Sequence, residues 1–189
     1  MTQFSRREKI LLHQLFTPDS ITRLIEIVPE TSESDWKAIR EKVIGEEKES
    51  VSLMLYVDGA ADSKAKNGGI GGIILRNDNS REELVTFSEN IGEATNNEAE
   101  YKALIRGLEY AAELNGTDVL VNSDSELIVN QVNLEYKVKN ERMLALHRKA
   151  RSILGKFASW QVRHIPRDDN RKADTLSKLA LVTEEHAIR

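Results

Sequence analysis

From residue 51 onward the apolar pattern changes from the period of a helix to that of strands, and the order of elements that follows admits few architectures. Residues 52–57 form an apolar run of strand type, and 68–75 and 83–88 read as second and third strands joined by Arg76-Asn77-Asp78-Asn79-Ser80. Helical periodicity then runs through 97–114 by way of Ala99, Ala103, Leu104, Leu108, Ala111 and Ala112, closed by Asn115-Gly116. A short strand at 119–121, helices at 125–132 and 142–157, a strand at 160–162 and a helix at 171–181 complete the series. Three consecutive strands followed by alternating helix and strand predict an α/β domain with a mixed sheet.

Residues 1–45 keep helical spacing instead. Phe4, Ile10, Leu11, Leu15 and Phe16 share one face, Thr17-Pro18-Asp19-Ser20 interrupts it, and Ile21, Leu24, Ile25 and Val28 form a second run ended by Pro29. Ser34-Asp35 before Trp36, Ile39 and Val43 marks a third start. The expected organisation is a helical appendage over 1–45, a polar linker over 46–51, an α/β domain over 52–182 and a tail over 183–189. Three short helices could form a DNA-reading unit, but this segment is acidic and has no basic recognition helix, so packing or docking to a protein partner of unknown identity is the expectation.

The chain has 189 residues, a formal net charge of −4 and no cysteine. Without cysteine, disulfides, thiolate metal sites and cysteine nucleophiles are excluded, in keeping with a reducing cytoplasm. No stretch reaches the roughly 18 apolar residues of a membrane span, and Met1-Thr2-Gln3-Phe4-Ser5-Arg6-Arg7 has no apolar core of a secretory signal. A cytoplasmic protein without a membrane partner is expected. Mild acidity argues at first against nucleic acid, but the charge is segregated. Residues 51–136 hold 15 acidic and 6 basic side chains, whereas 137–172 hold 11 basic and 3 acidic. That division suits a cation-binding site beside a phosphate-binding surface, and equally two solvated faces of opposite sign.

Particular carboxylates narrow the choice. Asp58 follows the apolar run Leu53-Met54-Leu55-Tyr56-Val57, and Asp124 follows Val119-Leu120-Val121-Asn122-Ser123. A carboxylate at a strand end lies where open α/β sheets bind ligands, although either could instead cap a helix or serve a turn. Glu100 lies on the first turns of the long helix; Glu98, two residues before it, points to a different face. Asp174 opens the last helix, a position that also suits a helix-dipole carboxylate. Carboxylates without thiolates or paired imidazoles suit Mg²⁺ or Mn²⁺ rather than zinc.

Four motifs together resemble the ribonuclease H family, type 1 branch. They are Tyr56-Val57-Asp58-Gly59-Ala60, the run from Thr95 through Asn96, Asn97, Glu98, Ala99 and Glu100 to Leu104, Asn122-Ser123-Asp124-Ser125, and the run from His164 through Arg167 and Asp174 to Leu176, in family order over about residues 52–181. The resemblance implies a five-stranded mixed sheet flanked by helices, and endonucleolytic cleavage of the RNA strand of an RNA–DNA hybrid that leaves 5′-phosphate and 3′-hydroxyl ends. It implies that Asp58, Glu100, Asp124 and Asp174 bind two Mg²⁺ or Mn²⁺ ions, with Asp58 shared, Glu100 and Asp124 on one ion and Asp174 on the other. It places Gly59, Asn96 and Asn97 at the substrate, the asparagines reading the minor groove where the 2′-hydroxyl marks RNA. It sets His164 to assist proton transfer or product release and offers Arg167 to the scissile phosphate. Helix capping by the asparagines, a structural His164 and a surface Arg167 stay open beside these roles.

The sequence departs from the family after Asp58, where Ser63-Lys64-Ala65-Lys66-Asn67 replaces a common Gly-Asn-Pro-Gly-Pro segment, and it has no room for an inserted basic handle helix. Lys137, Lys139, Arg142, Arg148, Lys149, Arg151 and Lys156 could supply part of the phosphate grip instead. Double-stranded RNA is a second possible substrate. Two other readings remain: a nucleic-acid-binding module without catalysis, and a four-carboxylate 3′–5′ exonuclease. The second is disfavoured because Gly59-Ala60, not an x-Glu pair, follows Asp58.

Overall fold

The structure is a computed structural model that describes residues 15–44, 50–62 and 64–182. The chain divides into two units, 1–49 and 50–189, each described by itself. In the first, helix α1 (Pro18–Ile27) starts behind Thr17, whose side chain accepts the Ser20 N–H. Helix α2 (Glu33–Ile44) begins two residues earlier than Ser34-Asp35 suggests. Ser32 and Asp35 cap reciprocally: the Ser32 N–H reaches Asp35 Oδ2 at 2.8 Å and the Asp35 N–H reaches Ser32 Oγ at 3.3 Å. Most of the first expected helical run, 4–16, and the linker residues 45–49 lie outside the described residues.

The second unit carries strands β1 (Ser52–Asp62), β2 (Asn67–Arg76), β3 (Glu83–Gly92), β4 (Asp118–Ser123) and β5 (Ser159–His164) in the order β3-β2-β1-β4-β5. β1, β2 and β3 pair antiparallel, and β4 and β5 join β1 in parallel. This is the five-stranded mixed sheet expected. Helices α3 (Asn96–Glu113), α4 (Glu126–Val132) and α5 (Glu141–Leu154) intervene between strands, and α6 (Arg171–Val182) closes the chain after a 3-10 turn, Arg167–Asn170.

The sheet's alternation allocates its two faces. Leu53, Leu55 and Val57 of β1 and Ile70 and Ile74 of β2 are buried in one core with Leu104 and Leu108 of α3 and Val119 and Val121 of β4. The opposite face of β2 carries Gly69 and Gly71, against which α6 lies. Ser88 Oγ donates to Leu176 O at 2.8 Å, and Asn90 and Asn67 donate their amides to Ala180 O and Leu181 O, each at 3.1 Å. The last two bonds satisfy carbonyls at the end of α6, and all three bind the helix across β2 and β3.

One expectation is corrected. β1 does not stop at Val57; it runs to Asp62, because β2 pairs with it from Leu53↔Arg76 to Asp62↔Asn67. The basic residues of α5 are partly engaged within the protein. Lys149 pairs with Glu109 at 2.8 Å, while Arg151 donates to Val132 O at 3.2 Å and stacks its guanidinium 5.0 Å from the Trp160 ring centroid. Lys137 and Lys139 are exposed in the connection between α4 and α5.

Candidate active site

The parallel pairing of β1 with β4 ends at Tyr56↔Asn122, while β1 continues along β2. Asp58 therefore sits just beyond the fork between β1 and β4, and Asp124 one residue beyond the end of β4. Two glycines let helices close on this fork from both faces. A Cβ on Gly59 would lie 2.2 Å from the backbone of Ala99 and Glu100, so only glycine admits the first turns of α3 here. Gly71 stands opposite Asp58 in the register, and a Cβ there would lie 2.3 Å from Ser177 N of α6. The first contact sets Glu100 beside β1; the second brings in the helix that carries Asp174.

Each carboxylate has a polar neighbour. Ser177 donates its hydroxyl to Asp58, Ser125 donates to Glu100 at 2.5 Å, and the Asn170 amide donates to Asp124 at 2.7 Å. Asp174 is held by two cations, Arg167 on Oδ1 at 2.7 Å and Lys178 on Oδ2 at 2.6 Å. Burial pushes the Asp58 carboxyl up to about 6, against the lowering effect of Ser177, with Asp124 and Asp174 adding repulsion. Glu100 is raised for the same first reason, burial, and again feels two carboxylates, Asp58 and Asp124. At Asp174 burial also raises, but the hydrogen bonds and charges of Lys178 and Arg167 prevail and the net shift is downward.

These groups share one electrostatic environment of oxygen donors, in which the Ser177 hydrogen bond and the Arg167 charge only partly offset burial and repulsion at Asp58. That donor set fits a hard divalent cation. With the side chains held by their present partners, no three His, Asp or Glu groups converge as a ligand cluster among the described residues. Arg167 and Lys178 occupy the Asp174 oxygens that a cation would take. Because the lysine end of this pair is solvent-exposed, although Asp174 is largely buried, Lys178→Met is expected to lower the half-saturating Mg²⁺ concentration by only about two- to fivefold. A Mg²⁺ titration of activity checks this, and an unchanged midpoint would contradict it.

The remaining candidates are placed as follows. His164 ends β5 opposite Ser123 and is exposed. Arg167 is exposed except for its pair with Asp174. Asn96 does not cap α3; its Oδ1 accepts the Ala61 N–H at 2.8 Å and ties the end of β1 to the helix. The cap is Thr95, in a reciprocal box with Glu98, which explains why Glu98 has a structural duty and Glu100 does not. Asn97 is the second residue of α3. An open groove of about 820 Å³ runs beside this helix end, lined by Lys66, Lys102 and Arg142, by Glu93 and Glu98, and by Asn96.

Asn170, Ser177 and Ser125 were not singled out from the sequence. Ser177 left a signal: with Ala173 and Ala180 it forms a fully buried stripe at helical spacing, in which a hydroxyl has to find a partner. Asn170 lies within the run from His164 to Leu176, but Asp168-Asp169-Asn170-Arg171 reads as an ordinary polar turn and gives it no role.

Residues 56–180 match the family described as reverse transcriptase-like. The crystal structure of RNase H1 from the halophilic archaeon Halobacterium salinarum superposes with a TM-score of 0.66 at 32% identity, covering 69% of this chain and 97% of that one. The chain belongs to the type 1 branch of the ribonuclease H family. LC11-RNase H1, solved in complex with an RNA/DNA hybrid, is 37% identical with a TM-score of 0.62 and is covered over 96% of its length by 68% of this chain. The N-terminal RNase H domain of a Mycobacterium tuberculosis protein is 34% identical, with a TM-score of 0.67, over 70% of this chain and 94% of that one. Against complete curated proteins the coverage is smaller: the chain spans 62% of the H. salinarum ribonuclease HI, at 32% identity, and 36% of the bifunctional M. tuberculosis protein, at 33%. The match to the ribonuclease H family begins at β1 and ends in α6, leaving α1 and α2 outside it.

Proposed function

We propose that this protein is a metal-dependent endonuclease that hydrolyses the RNA strand of RNA–DNA hybrids. The observation that carries the reading is the set of four carboxylates, Asp58, Glu100, Asp124 and Asp174, delivered from separate elements to one end of the sheet and electrostatically coupled there. They would hold two Mg²⁺ or Mn²⁺ ions, which when bound supply activation of the attacking water and stabilisation of the leaving oxygen. Hydrolysis on that basis leaves 5′-phosphate and 3′-hydroxyl ends.

The chain's own residues have distinct tasks in this reading. The groove beside α3, with Lys66, Lys102 and Arg142, receives a phosphate backbone. The Asn96 and Asn97 amides meet the minor groove, where the 2′-hydroxyl marks the RNA strand, while Gly59, buried against Ala99 and Glu100, serves by letting the helix that carries them close on β1. Arg167, exposed and next to Asp174, contacts the scissile phosphate when substrate draws it from its ion pair. His164, exposed beside the strand end, takes or gives a proton as product leaves. Double-stranded RNA is a secondary substrate in this proposal, and the protein works in the cytoplasm.

A strand-labelled assay with Mg²⁺ and Mn²⁺ tests the reading. Cleavage of the RNA strand of a hybrid, internal as well as terminal, is expected, with loss on chelation by EDTA. Cleavage of the DNA strand alone would refute the proposal. A circular or end-blocked substrate that resists cutting would turn it toward an exonuclease.

A further inference from the structure

We propose that Asn170 is a positioning residue of this site: its buried side-chain amide holds Asp124 in place against the backbone of β1 and the helix that carries Asp174. Asn170 is the last residue of the 3-10 turn and is 1% exposed. Its Nδ2 donates to Val57 O at 3.0 Å and to Asp124 Oδ1 at 2.7 Å, which uses both of its hydrogens. Both partners are acceptors, so the orientation of the amide is fixed. Turned over, it would set oxygen against a carbonyl and a carboxylate.

The location gives these two bonds their consequence. Val57 precedes Asp58, and the ladder between β1 and β4 has ended one residue earlier, at Tyr56↔Asn122. Asn170 therefore bridges the strands where they part. The next residue, Arg171, begins α6, whose first turn carries Asp174. One side chain thus links the backbone beside Asp58, the carboxylate of Asp124 and the start of the helix bearing Asp174.

Asn170 Oδ1 is itself buried without a hydrogen-bond partner. An unpaired buried acceptor is unfavourable, so packing alone gives no reason for an amide at this position. The value of the residue lies in its two donors. Ser125 and Ser177 each hold one carboxylate of the site, whereas Asn170 also reaches the backbone of a neighbouring strand. The catalytic consequence rests on the nuclease reading; the effect on cation binding does not.

The test uses the full chain and Asn170→Ala, with Asn170→Ser in parallel because it leaves a smaller void and one donor. Three quantities are measured: kcat and KM on a strand-labelled hybrid, and the midpoint of Mn²⁺-induced thermal stabilisation without nucleic acid. For Asn170→Ala, kcat is expected to fall about 10- to 100-fold with KM within about twofold, and the Mn²⁺ midpoint to rise about tenfold. Asn170→Ser falls between alanine and the wild type. In an Asp124→Asn background, Asn170→Ala is expected to change the midpoint by less than about twofold, since it acts through Asp124. A purely structural asparagine would lower the unfolding midpoint in urea and leave kcat and the Mn²⁺ midpoint unmoved; that result in either folded variant overturns the inference, as would full additivity with Asp124→Asn. If the wild type binds Mn²⁺ but cuts no hybrid, the nuclease reading fails and the midpoints alone decide the role of Asn170. A wild type with neither property overturns both.

Discussion

Asp58→Asn is expected to reduce hybrid cleavage by at least about 10³-fold while making the cation-free protein more stable at neutral pH. The loss follows from removing one charge from the centre of the carboxylate set, at nearly constant volume. The gain follows from linkage. The folded protein raises the Asp58 carboxyl from 3.8 to about 6, so it binds that proton more tightly than the unfolded chain does. A raised carboxyl favours folding below its unfolded value, and that contribution is lost as pH rises from about 4 through about 6. Above this window the ionised, partly buried carboxylate opposes folding by on the order of 2 kcal/mol, which corresponds to about 4–8 °C in Tm for a chain of this size. The asparagine oxygen can still accept from Ser177. Thermal unfolding in EDTA should show the variant above the wild type at pH 7.5 and the two converging near pH 4. Equal stability at pH 7.5, or activity retained by the variant, would contradict the proposed role of Asp58.

Gly59→Ala is expected to damage both stability and activity, although it adds a single methyl group. Its Cβ would lie 2.2 Å from the backbone carbon of Ala99 and the nitrogen of Glu100, where no flexible side chain can yield. Either β1 bends or the start of α3 withdraws, and overpacking of that kind costs about 3 kcal/mol or more. Withdrawal of α3 carries Glu100 away from Asp58 and strains the bond between Asn96 and Ala61. Urea unfolding should show the loss. In the fraction that remains folded, kcat should fall by about tenfold or more, because small misplacements at a site of this kind are costly. Gly92→Ala is a useful contrast. Its φ of +66° strains an alanine, yet no atom stands within 4 Å of the added carbon, so its effect should be on stability and not on kcat.

Much of the sheet could be read along the chain because strands and helices announce themselves by period. β4 and α6 lie where the apolar spacing puts them, within one or two residues. The apolar pattern of β1 ends five residues short of the strand, since Asp58 to Asp62 is polar and small and its strand character comes from pairing with β2. The run Gly68, Gly69, Gly71, Gly72 could be recognised as strand, but not as the bed of α6; a missing side chain shows its purpose only when the neighbour is known. Of the two roles open to Asn96, contact with substrate and helix capping, the second falls to Thr95, one place earlier.

What the sequence by itself determined is therefore the order of elements and the four motifs, whose resemblance to the ribonuclease H family singles out the four carboxylates. Those are properties of residue type and local spacing. The tertiary structure alone decided which groups hold the carboxylates: Ser177 on Asp58 across 119 residues, Asn170 on Val57 across 113, Ser125 on Glu100 across 25. Such contacts have no period in the chain. They exist because glycines at 59 and 71 let two helices approach one fork in the sheet from opposite faces, and backbone packing at that distance is set by the whole fold.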